Sequence, residues 1–339
     1  MPGVFELKVP VDIYLGNGKP QREQIHVTER DQTFRFKVSA EPRLIVFDPE
    51  RMLLAERTED RTEEQSAFAF YNAPRFMDRF EALQALAESE SDISKDVFKA
   101  ALRDTFWVIR AIGLEQLGEG EFDADVVALL RQQAAQDKHS YVRASAFAKL
   151  TEIADTESVA IAKTAIEKDQ AYGVIAGALR LLNTLDNESA LVYAQKLEKE
   201  ANADILEVVG DIYIASGDAK YLSFFDNKIK DADGPAAFTL FSGYASLVLN
   251  GDDASLKTAT DKFQGVATDM SNTPWRRVAA ARAMVEMRSA LLQQSNAEAD
   301  EDVKARLTEK IEALARALES VKAAETDPDI KSIYDQLIR

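Results

Sequence analysis

Histidine is the side chain that most often does acid–base and metal chemistry near neutral pH, and it occurs only as His26 and His139 in the 339 residues. A zinc peptidase site of the His-Glu-x-x-His type needs two histidines four residues apart on one helix. His26 and His139 are far apart in the sequence, and neither stands in such a pattern. We therefore expect both to be surface or structurally satisfied side chains. We predict no catalytic, cofactor-binding or metal-binding residue in this chain.

Two further patterns resemble chemical motifs but favour a structural explanation. Gly16-Asn17-Gly18-Lys19 lacks the first glycine of a phosphate-binding loop, and its glycines, which adopt positive φ at little cost, predict a hairpin turn. The acidic run lacks the alternation and the glycine of a calcium loop, so it predicts a solvent-exposed helix start. That run consists of Glu298, Asp300, Glu301 and Asp302.

Four arginines and two tryptophans stand at related positions in the later part of the chain. The arginines could form a row that binds anions or could pair with carboxylates of a neighbouring helical repeat, and the second interpretation is favoured. The tryptophans are expected in core or inter-repeat packing, with ligand stacking as the alternative. These residues are Arg79, Arg110, Arg143 and Arg277, with Trp107 and Trp275.

The composition excludes several classes of protein. Without cysteine there are no disulfides, thiolate nucleophiles, zinc fingers or iron–sulfur clusters. Asp and Glu number 58 against 41 Lys and Arg, and the net charge of −17 argues against a nucleic-acid partner. No run of about 18 apolar residues is present, and the start has no signal-peptide pattern. We therefore expect a soluble protein with no membrane partner, in a compartment that the sequence leaves open.

The first fifty residues have the two-residue period of β-strands. Apolar side chains alternate over residues 5–15, and shorter strands are predicted at 25–27, 34–38 and Leu44–Phe47. We expect a small antiparallel β-sandwich over residues 1–50, in which the first strand is half-buried and Arg35 and Lys37 of the third strand face outward. A sandwich of this size should pack on something else for stability. Residues 51–65 are dense in charge and are predicted to be a linker.

Residues 66–339 have helical periodicity. Similar segments recur at positions 79, 110, 143, 175, 207, 239 and 277, a spacing typical of stacked helical hairpins. A small residue usually follows three places later, where it would let neighbouring helices approach closely. Residues 137–150 resemble a HEAT repeat. The fold class is therefore multidomain, β plus all-α: the sandwich followed by a HEAT/ARM-like α-solenoid superhelix, with a capping hairpin after residue 300.

Short motifs along the whole chain are similar to those of one peptidase family. They are residues 5–13; Pro42 with residues 46–49 and 53–54; Tyr71, Ala73, Arg79, Glu81, Ala82 and Leu86; residues 106–110; and residues 217–221. This order resembles the β-sandwich and helical domain that follow the catalytic domain in aminopeptidase N-like zinc metallopeptidases.

The resemblance implies that the chain is the non-catalytic C-terminal region of such an enzyme. The family's zinc ligands, catalytic glutamate and Gly-x-Met-Glu-Asn motif belong upstream and are absent here, so no functional residue is carried over. The implied partners are the catalytic domain of the same polypeptide and peptide substrates whose entry the region restricts. Zinc is expected in that domain, and this chain alone should be inactive. The alternative is an autonomous HEAT-like scaffold that binds a protein partner on a concave face.

Overall fold

The computed structural model describes residues 5–118 and 122–338. The chain divides into two compact units, Met1–Ile161 and Ala162–Arg339. We call them the N-terminal unit and the C-terminal unit. The described part of the chain is mostly helical, with one small antiparallel sheet near its start.

The sheet has three strands in the described residues, in the order β2-β1-β3. They are β1 Leu7–Tyr14, β2 Gln21–Val27 and β3 Leu44–Phe47. Both neighbours run antiparallel to β1, with Leu7 opposite Val27 and Tyr14 opposite Leu44. The predicted hairpin at residues 16–19 therefore joins β1 to β2. Its glycines do not have positive φ, so that part of the expectation was wrong.

The central strand is buried on both faces over its second half, where the alternation predicted one exposed face. Val9, Val11 and Ile13 pack with Ile25 on one face. Tyr14 faces the other way, and its ring meets that of Phe68 at 5.9 Å. Alternation shows which residues share a face, but it does not show that a helix covers the polar one.

Asp12, on the polar face of β1, is also buried. Its two carboxylate oxygens accept hydrogen bonds from the Arg22 guanidinium at 2.6 and 2.7 Å. This bidentate pairing compensates the cost of burying the charge in the middle of the sheet.

The strand predicted at residues 34–38 is absent, and the described residues contain one sheet instead of the two of a sandwich. Phe34 and Phe36 are half-buried and pack against the Val9–Ile13 face. Their alternation reflects an extended segment that covers this face without joining the hydrogen-bond ladder. Periodicity alone does not separate such a segment from a strand.

Six complete helices follow the sheet in the described residues of the N-terminal unit. They are α1 Glu63–Asn72, α2 Phe76–Leu86, α3 Asp92–Ala101, α4 Trp107–Gln116, α5 Ala124–Gln136 and α6 Ser140–Glu152. Helix α1 begins three residues before the end of the predicted linker, because Thr62 and Gln65 form a capping box. Tyr14, Leu44 and Val46 share one apolar core with residues of α1 to α4.

The charged segment between sheet and helices is held by ion pairs. Arg51 Nη2 and Arg57 Nη2 lie 2.7 and 2.6 Å from Glu81 Oε2 on helix α2. Arg51 Nη2 also lies 3.0 Å from Asp78. Burial raises the pKa of Asp78, although the Arg51 charge opposes that effect. The segment is thus tied to the helical part by its charges.

The remaining helices of the described residues lie in the C-terminal unit, except that the first of them begins three residues before it. They are α7 Val159–Lys168, α8 Tyr172–Leu185, α9 Asn187–Leu197, α10 Ala203–Ser216, α11 Leu222–Lys228, α12 Gly234–Val248, α13 Asp253–Thr268, α14 Pro274–Ala297, α15 Glu301–Ala324 and α16 Pro328–Leu337. Gly217 ends α10 with a φ of 65°, a left-handed conformation that glycine adopts without a Cβ penalty. The acidic run at residue 300 is a helix start, as predicted, because Asp300 caps α15.

The seven repeat positions fall on every second helix, from α2 to α14. Within the N-terminal unit α2 contacts α4 and α4 contacts α6, and within the C-terminal unit α8, α10, α12 and α14 contact one another in series. The small-residue positions, Ala82, Ala146, Ala178 and Ala280 among them, are fully buried. These neighbours are those expected of consecutive helical hairpins, and the HEAT-like solenoid itself stays a prediction.

Among the helices of the described residues, none combines the length and the apolar character that crossing a membrane requires.

Candidate functional site

Two arginines of the repeat positions in the N-terminal unit pair with carboxylates of the following loop. Arg79 Nε lies 2.7 Å from Asp104 Oδ2. Arg110 donates to both oxygens of Asp137, at 2.8 and 2.7 Å. Each carboxylate comes from the loop before the next helix of the series and also accepts a backbone N–H two residues later. The predicted pairing with an adjacent repeat is confirmed for these two arginines, and their charges are not free to bind an anion.

The other two arginines of the row are also engaged. Arg143 Nη1 donates to the carbonyl oxygen of Asp137 at 2.8 Å. Arg277 makes two hydrogen bonds of 3.1 Å to Glu325, and both residues are buried. Glu325 also accepts the N–H groups of Thr326 and Asp327. The row therefore fastens loops to helix starts.

Aromatic rings stand at the starts of α2, α4 and α6, the helices that carry Arg79, Arg110 and Arg143. We call Phe76, Phe106, Trp107, His139 and Tyr141 the aromatic edge. Its ring centroids lie 4.6 Å apart for Phe76 and Phe106, 6.3 Å for Phe106 and Trp107, and 6.0 Å for Trp107 and Tyr141. Phe106 is 38% exposed and Tyr141 is 50% exposed. The edge is a run of partly solvent-facing rings within the N-terminal unit.

Trp107 and His139 form the tightest contact of the aromatic edge. Their rings are stacked, with centroids 3.6 Å apart and planes 4° from parallel. His139 is the N-cap of α6, and its Nδ1 accepts the Tyr141 N–H at 3.3 Å. The histidine is thus structurally satisfied, as predicted, and Trp107 makes the predicted inter-repeat contact. Tyr141 donates to Glu115 at 3.0 Å, and this hydrogen bond raises the pKa of the tyrosine.

A groove of about 540 Å³ lies beside Trp107 and His139, between the start of α4 and the end of α5. We call it the aromatic groove. Leu102, Trp107 and Leu129 give it apolar walls, and Gln132, Gln133 and Gln136 add three amides. The charges of the Arg110–Asp137 pair, which also borders it, compensate each other. Lys138 also borders the groove and adds a positive charge, so the arrangement suits a partly apolar ligand that carries no net positive charge.

The other predicted residues lie away from this groove. His26, on β2, is half exposed, with Nε2 3.7 Å from Glu6 Oε2. Trp275 is 56% exposed and so lies outside the core, and of its two predicted places, core or inter-repeat packing, it occupies the second. Trp275 stands in the first turn of α14, and its ring centroid lies 6.4 Å from that of Phe238 on α12. The described residues hold no group of three or more His, Asp or Glu side chains that could bind a metal.

Sequence reasoning missed the aromatic edge and the groove. The edge has a sequence signal, because Phe76 and Trp107 both stand three places before a repeat arginine and Tyr141 stands two places before one. Glutamines on a helix are ordinary surface residues, so the sequence carries no signal that Gln133 is buried in a groove wall.

Comparison with known proteins gives no family for this chain. No family model matches it, and no curated protein matches it significantly. Among solved structures it is similar to Legionella pneumophila aminopeptidase A in complex with aspartic acid, at 10% identity and a TM-score of 0.44, over 98% of this chain and 45% of the other. The chain therefore spans less than half the length of that aminopeptidase.

Two further structures are similar at comparable levels. The complex of CpcE and CpcF of phycocyanin lyase from Nostoc matches at 13% identity and a TM-score of 0.43, over 78% of this chain and 98% of the other. Human deoxyhypusine hydroxylase in complex with glycerol matches at 17% identity and a TM-score of 0.30, over 77% and 96%. At these scores none of the three assigns a fold, an activity or a partner to this chain.

Proposed function

We propose that this chain is the non-catalytic C-terminal region of an aminopeptidase N-like zinc metallopeptidase. In this proposal it packs on the catalytic domain and restricts the entry of peptides, and zinc belongs to that domain. The family resemblance of the sequence motifs supports the proposal. So does the scarcity of histidine and the absence of cysteine, which leave little chemistry for the chain to do alone.

The observation that carries the proposal is apolar surface left on the sheet part. Ile45 on the edge strand β3 is 51% exposed, and Met52 and Leu54, just after it, are more exposed still. The adjacent core is well formed, because Leu44 and Val46 are buried against the helices. Large apolar side chains on a sheet edge and in the segment after it favour contact with another protein surface.

Association with a catalytic domain tests this proposal. Reading the coding sequence upstream of Phe5 should reveal His-Glu-x-x-His followed by a more distant glutamate. That domain, made separately, should bind this chain tightly in a calorimetric titration. Leu54→Asp should weaken the binding more than tenfold, because it places a charge in the buried interface. Leu292→Asp, at a partly exposed leucine of α14, is the matched control and should bind like the parent chain.

Failure of these measurements has a clear meaning. An in-frame stop codon just before Met1 with no peptidase domain upstream, or no binding between the two pieces, would contradict the proposal. Turnover of an aminoacyl anilide by this chain alone with added zinc would contradict the expected lack of activity.

The aromatic edge favours a second candidate, an autonomous scaffold that binds a protein partner. Partly exposed rings in a row are typical of protein contact surfaces. Under this alternative, substitutions on the sheet edge leave partner binding unchanged and substitutions on the aromatic edge abolish it, which is the reverse of the first proposal.

A further inference from the structure

The hairpin turn between β1 and β2 contains an asparagine followed by glycine. This dipeptide occurs twice in the chain, as Asn17-Gly18 in the turn and as Asn250-Gly251 after α12. An asparagine amide is attacked most readily by the next backbone nitrogen when that residue is glycine, because no Cβ obstructs the approach and the backbone turns freely. The two sites differ in whether their surroundings permit this attack.

The turn leaves the reacting atoms of Asn17 and Gly18 accessible. Both residues are exposed. The last paired residues of the two strands are Ile13 and Gln21, so the turn lies beyond the hydrogen-bond ladder. The Gly18 N–H donates to no backbone acceptor in the described part of the chain, and a Cβ built on Gly18 would meet no heavy atom within 4 Å. The Gly18 nitrogen is therefore free to approach Asn17 Cγ.

Arg43 places a positively charged donor on the amide that is attacked. Its Nη1 donates to Asn17 Oδ1 at 3.0 Å. The guanidinium lies over the Phe68 ring at 4.6 Å, and the Arg43 N–H donates to the Tyr14 carbonyl oxygen at 2.8 Å, so the donor is held in place. Attack on Cγ moves negative charge onto Oδ1, and a hydrogen bond from a guanidinium strengthens as that charge develops.

We propose that Asn17 is a site of spontaneous deamidation assisted by Arg43. A hydroxide ion removes the Gly18 N–H proton, and the nitrogen forms a bond to Asn17 Cγ. The π electron pair of the Cγ–Oδ1 bond moves to Oδ1, where Arg43 donates. When this pair returns, the Cγ–Nδ2 bond breaks, and Nδ2 takes a proton from water and leaves as ammonia.

Hydrolysis completes the reaction. The first step leaves a five-membered imide, and a water molecule opens it at either carbonyl carbon, which gives aspartate or isoaspartate at this position. The sum consumes one water molecule and releases one ammonia molecule, and no other reactant is needed. The site does not depend on the aminopeptidase proposal, since it uses only groups of the N-terminal unit.

The second Asn-Gly pair provides a comparison within the same chain. The Gly251 N–H donates to the Val248 carbonyl oxygen at 3.0 Å. A Cβ built on Gly251 would lie 3.2 Å from Ser255 Cβ, so this backbone is also closely surrounded. A nitrogen that is engaged in a hydrogen bond at a helix end is not positioned to attack Cγ. Asn250 should therefore react slowly while the protein is folded.

Peptide mass spectrometry of the full chain tests the proposal. The chain is incubated at mildly alkaline pH, and the replacement of amide by carboxylate is followed at Asn17 and at Asn250. In the folded protein Asn17 should react at least about tenfold faster, because only its nitrogen is free to reach the attacking position. In concentrated urea the two rates should agree within about threefold, since the folded surroundings are lost. Equal rates in the folded protein would overturn the proposal.

Arg43→Met tests the assisting charge. It should slow the reaction of Asn17 about fivefold, the value of one charge-assisted hydrogen bond near solvent. Lys19→Met removes a charge from the same turn without touching Asn17 Oδ1 and is the matched control, with an unchanged rate. An unchanged rate at Asn250 shows that each variant is folded. A rate at Asn17 that stays the same or rises in Arg43→Met would contradict the assistance by Arg43.

Gly18→Ala tests the attacking backbone. Gly18 does not have positive φ and an added Cβ finds open space, so the variant should fold, yet the methyl group should slow the attack about tenfold. Gly16→Ala, equally unobstructed on the other side of Asn17, is the control and should react like the parent chain. No carboxylate at Asn17 in the parent chain, under conditions that convert a blocked peptide of residues 14–20, would overturn the proposal.

Discussion

The same arginine position serves two different environments in the two units. In the N-terminal unit Arg110 pairs with Asp137 in a loop that solvent reaches, with 14% and 8% of the two side chains exposed. In the C-terminal unit Arg277 pairs with Glu325, and exposure falls to 5% and 0%. Both pairs fasten a loop to a helix start. The two pairs differ in how fully the protein buries them. The degree of burial determines how far the free energy of unfolding falls when one partner is removed.

Breaking the buried pair should have the largest effect. Glu325→Ala leaves the Arg277 charge buried without a counter-charge, and we expect the free energy of unfolding to fall by about 3–5 kcal/mol. Asp137→Ala leaves Arg110 near water and should cost about 1–2 kcal/mol. Urea unfolding followed by circular dichroism measures both. Equal losses would show that burial does not distinguish the two pairs.

A double variant sharpens the same contrast. Arg277→Met with Glu325→Leu replaces the buried pair by apolar side chains of similar size. It should be more stable than Glu325→Ala alone, because no charge is left buried. A double variant less stable than the single one would mean that the Arg277 hydrogen bond to the Asn272 carbonyl oxygen, which only the double variant loses, matters more than the buried charge.

The next largest difference should appear at the small residue three places after each repeat position. There an added methyl group should be tolerated less well in the N-terminal unit than in the C-terminal unit. A Cβ added at Gly113 would lie 2.9 Å from Ala101 Cβ and 3.0 Å from the Phe98 carbonyl oxygen. Gly113→Ala should therefore cost about 1–3 kcal/mol by overpacking. At Gly210 the nearest atoms are 3.7 Å away, so Gly210→Ala should be neutral or stabilise by up to about 1 kcal/mol through helix propensity. Thermal unfolding of the two variants checks the order, and the reverse order would contradict the geometry.

The smallest difference between the two units should appear at low pH, at the N-cap residues of one helix in each unit. Lys163 and Ser189 hold the pKa of Asp186 at about 2, and the Val126 N–H and Lys99 lower the pKa of Asp123. Because these folded-state pKa values are depressed, the stabilisation is present above the unfolded value and is lost as pH falls. The stability gap between the parent chain and Asp186→Asn should shrink from about pH 4 towards about pH 2.

Asp123→Asn is the counterpart of that variant in the N-terminal unit. The stability gap between the parent chain and Asp123→Asn should also shrink as pH falls. This gap should be the smaller of the two, because the pKa of Asp123 is less depressed. Urea unfolding at several pH values measures both gaps. A gap that widens on acidification would reverse the sign argued here.

Local sequence patterns were sufficient to predict the helices and the repeat positions. The seven positions from 79 to 277 all fall on helices, because the apolar period and the small residues are local properties. The same was true of Arg79 and Arg110, whose partners Asp104 and Asp137 lie in loops 25 and 27 residues later. Local pattern was insufficient for the sheet. Residues 34–38 have a strand's alternation, yet no strand within the described part of the chain pairs with them.

The candidate site depended on contacts that sequence spacing does not show. Trp107 and Trp275 both stand just before a repeat arginine, yet one is stacked on a histidine and the other faces solvent. Gln133 became notable only when its Oε1 was seen to lack a donor. Both outcomes depend on which side chains of neighbouring helices meet, and a single sequence does not specify this.

The pairing of Arg51 and Arg57 with Glu81 has a consequence for digestion by proteases. Trypsin must draw a stretch of extended chain into its cleft, and a segment of this composition would ordinarily be its first target. Here both guanidinium groups are engaged with helix α2, so opening the segment means breaking several ion pairs at once. Scission at these arginines should therefore be slow in the native protein, despite the number of cleavable bonds between sheet and helices.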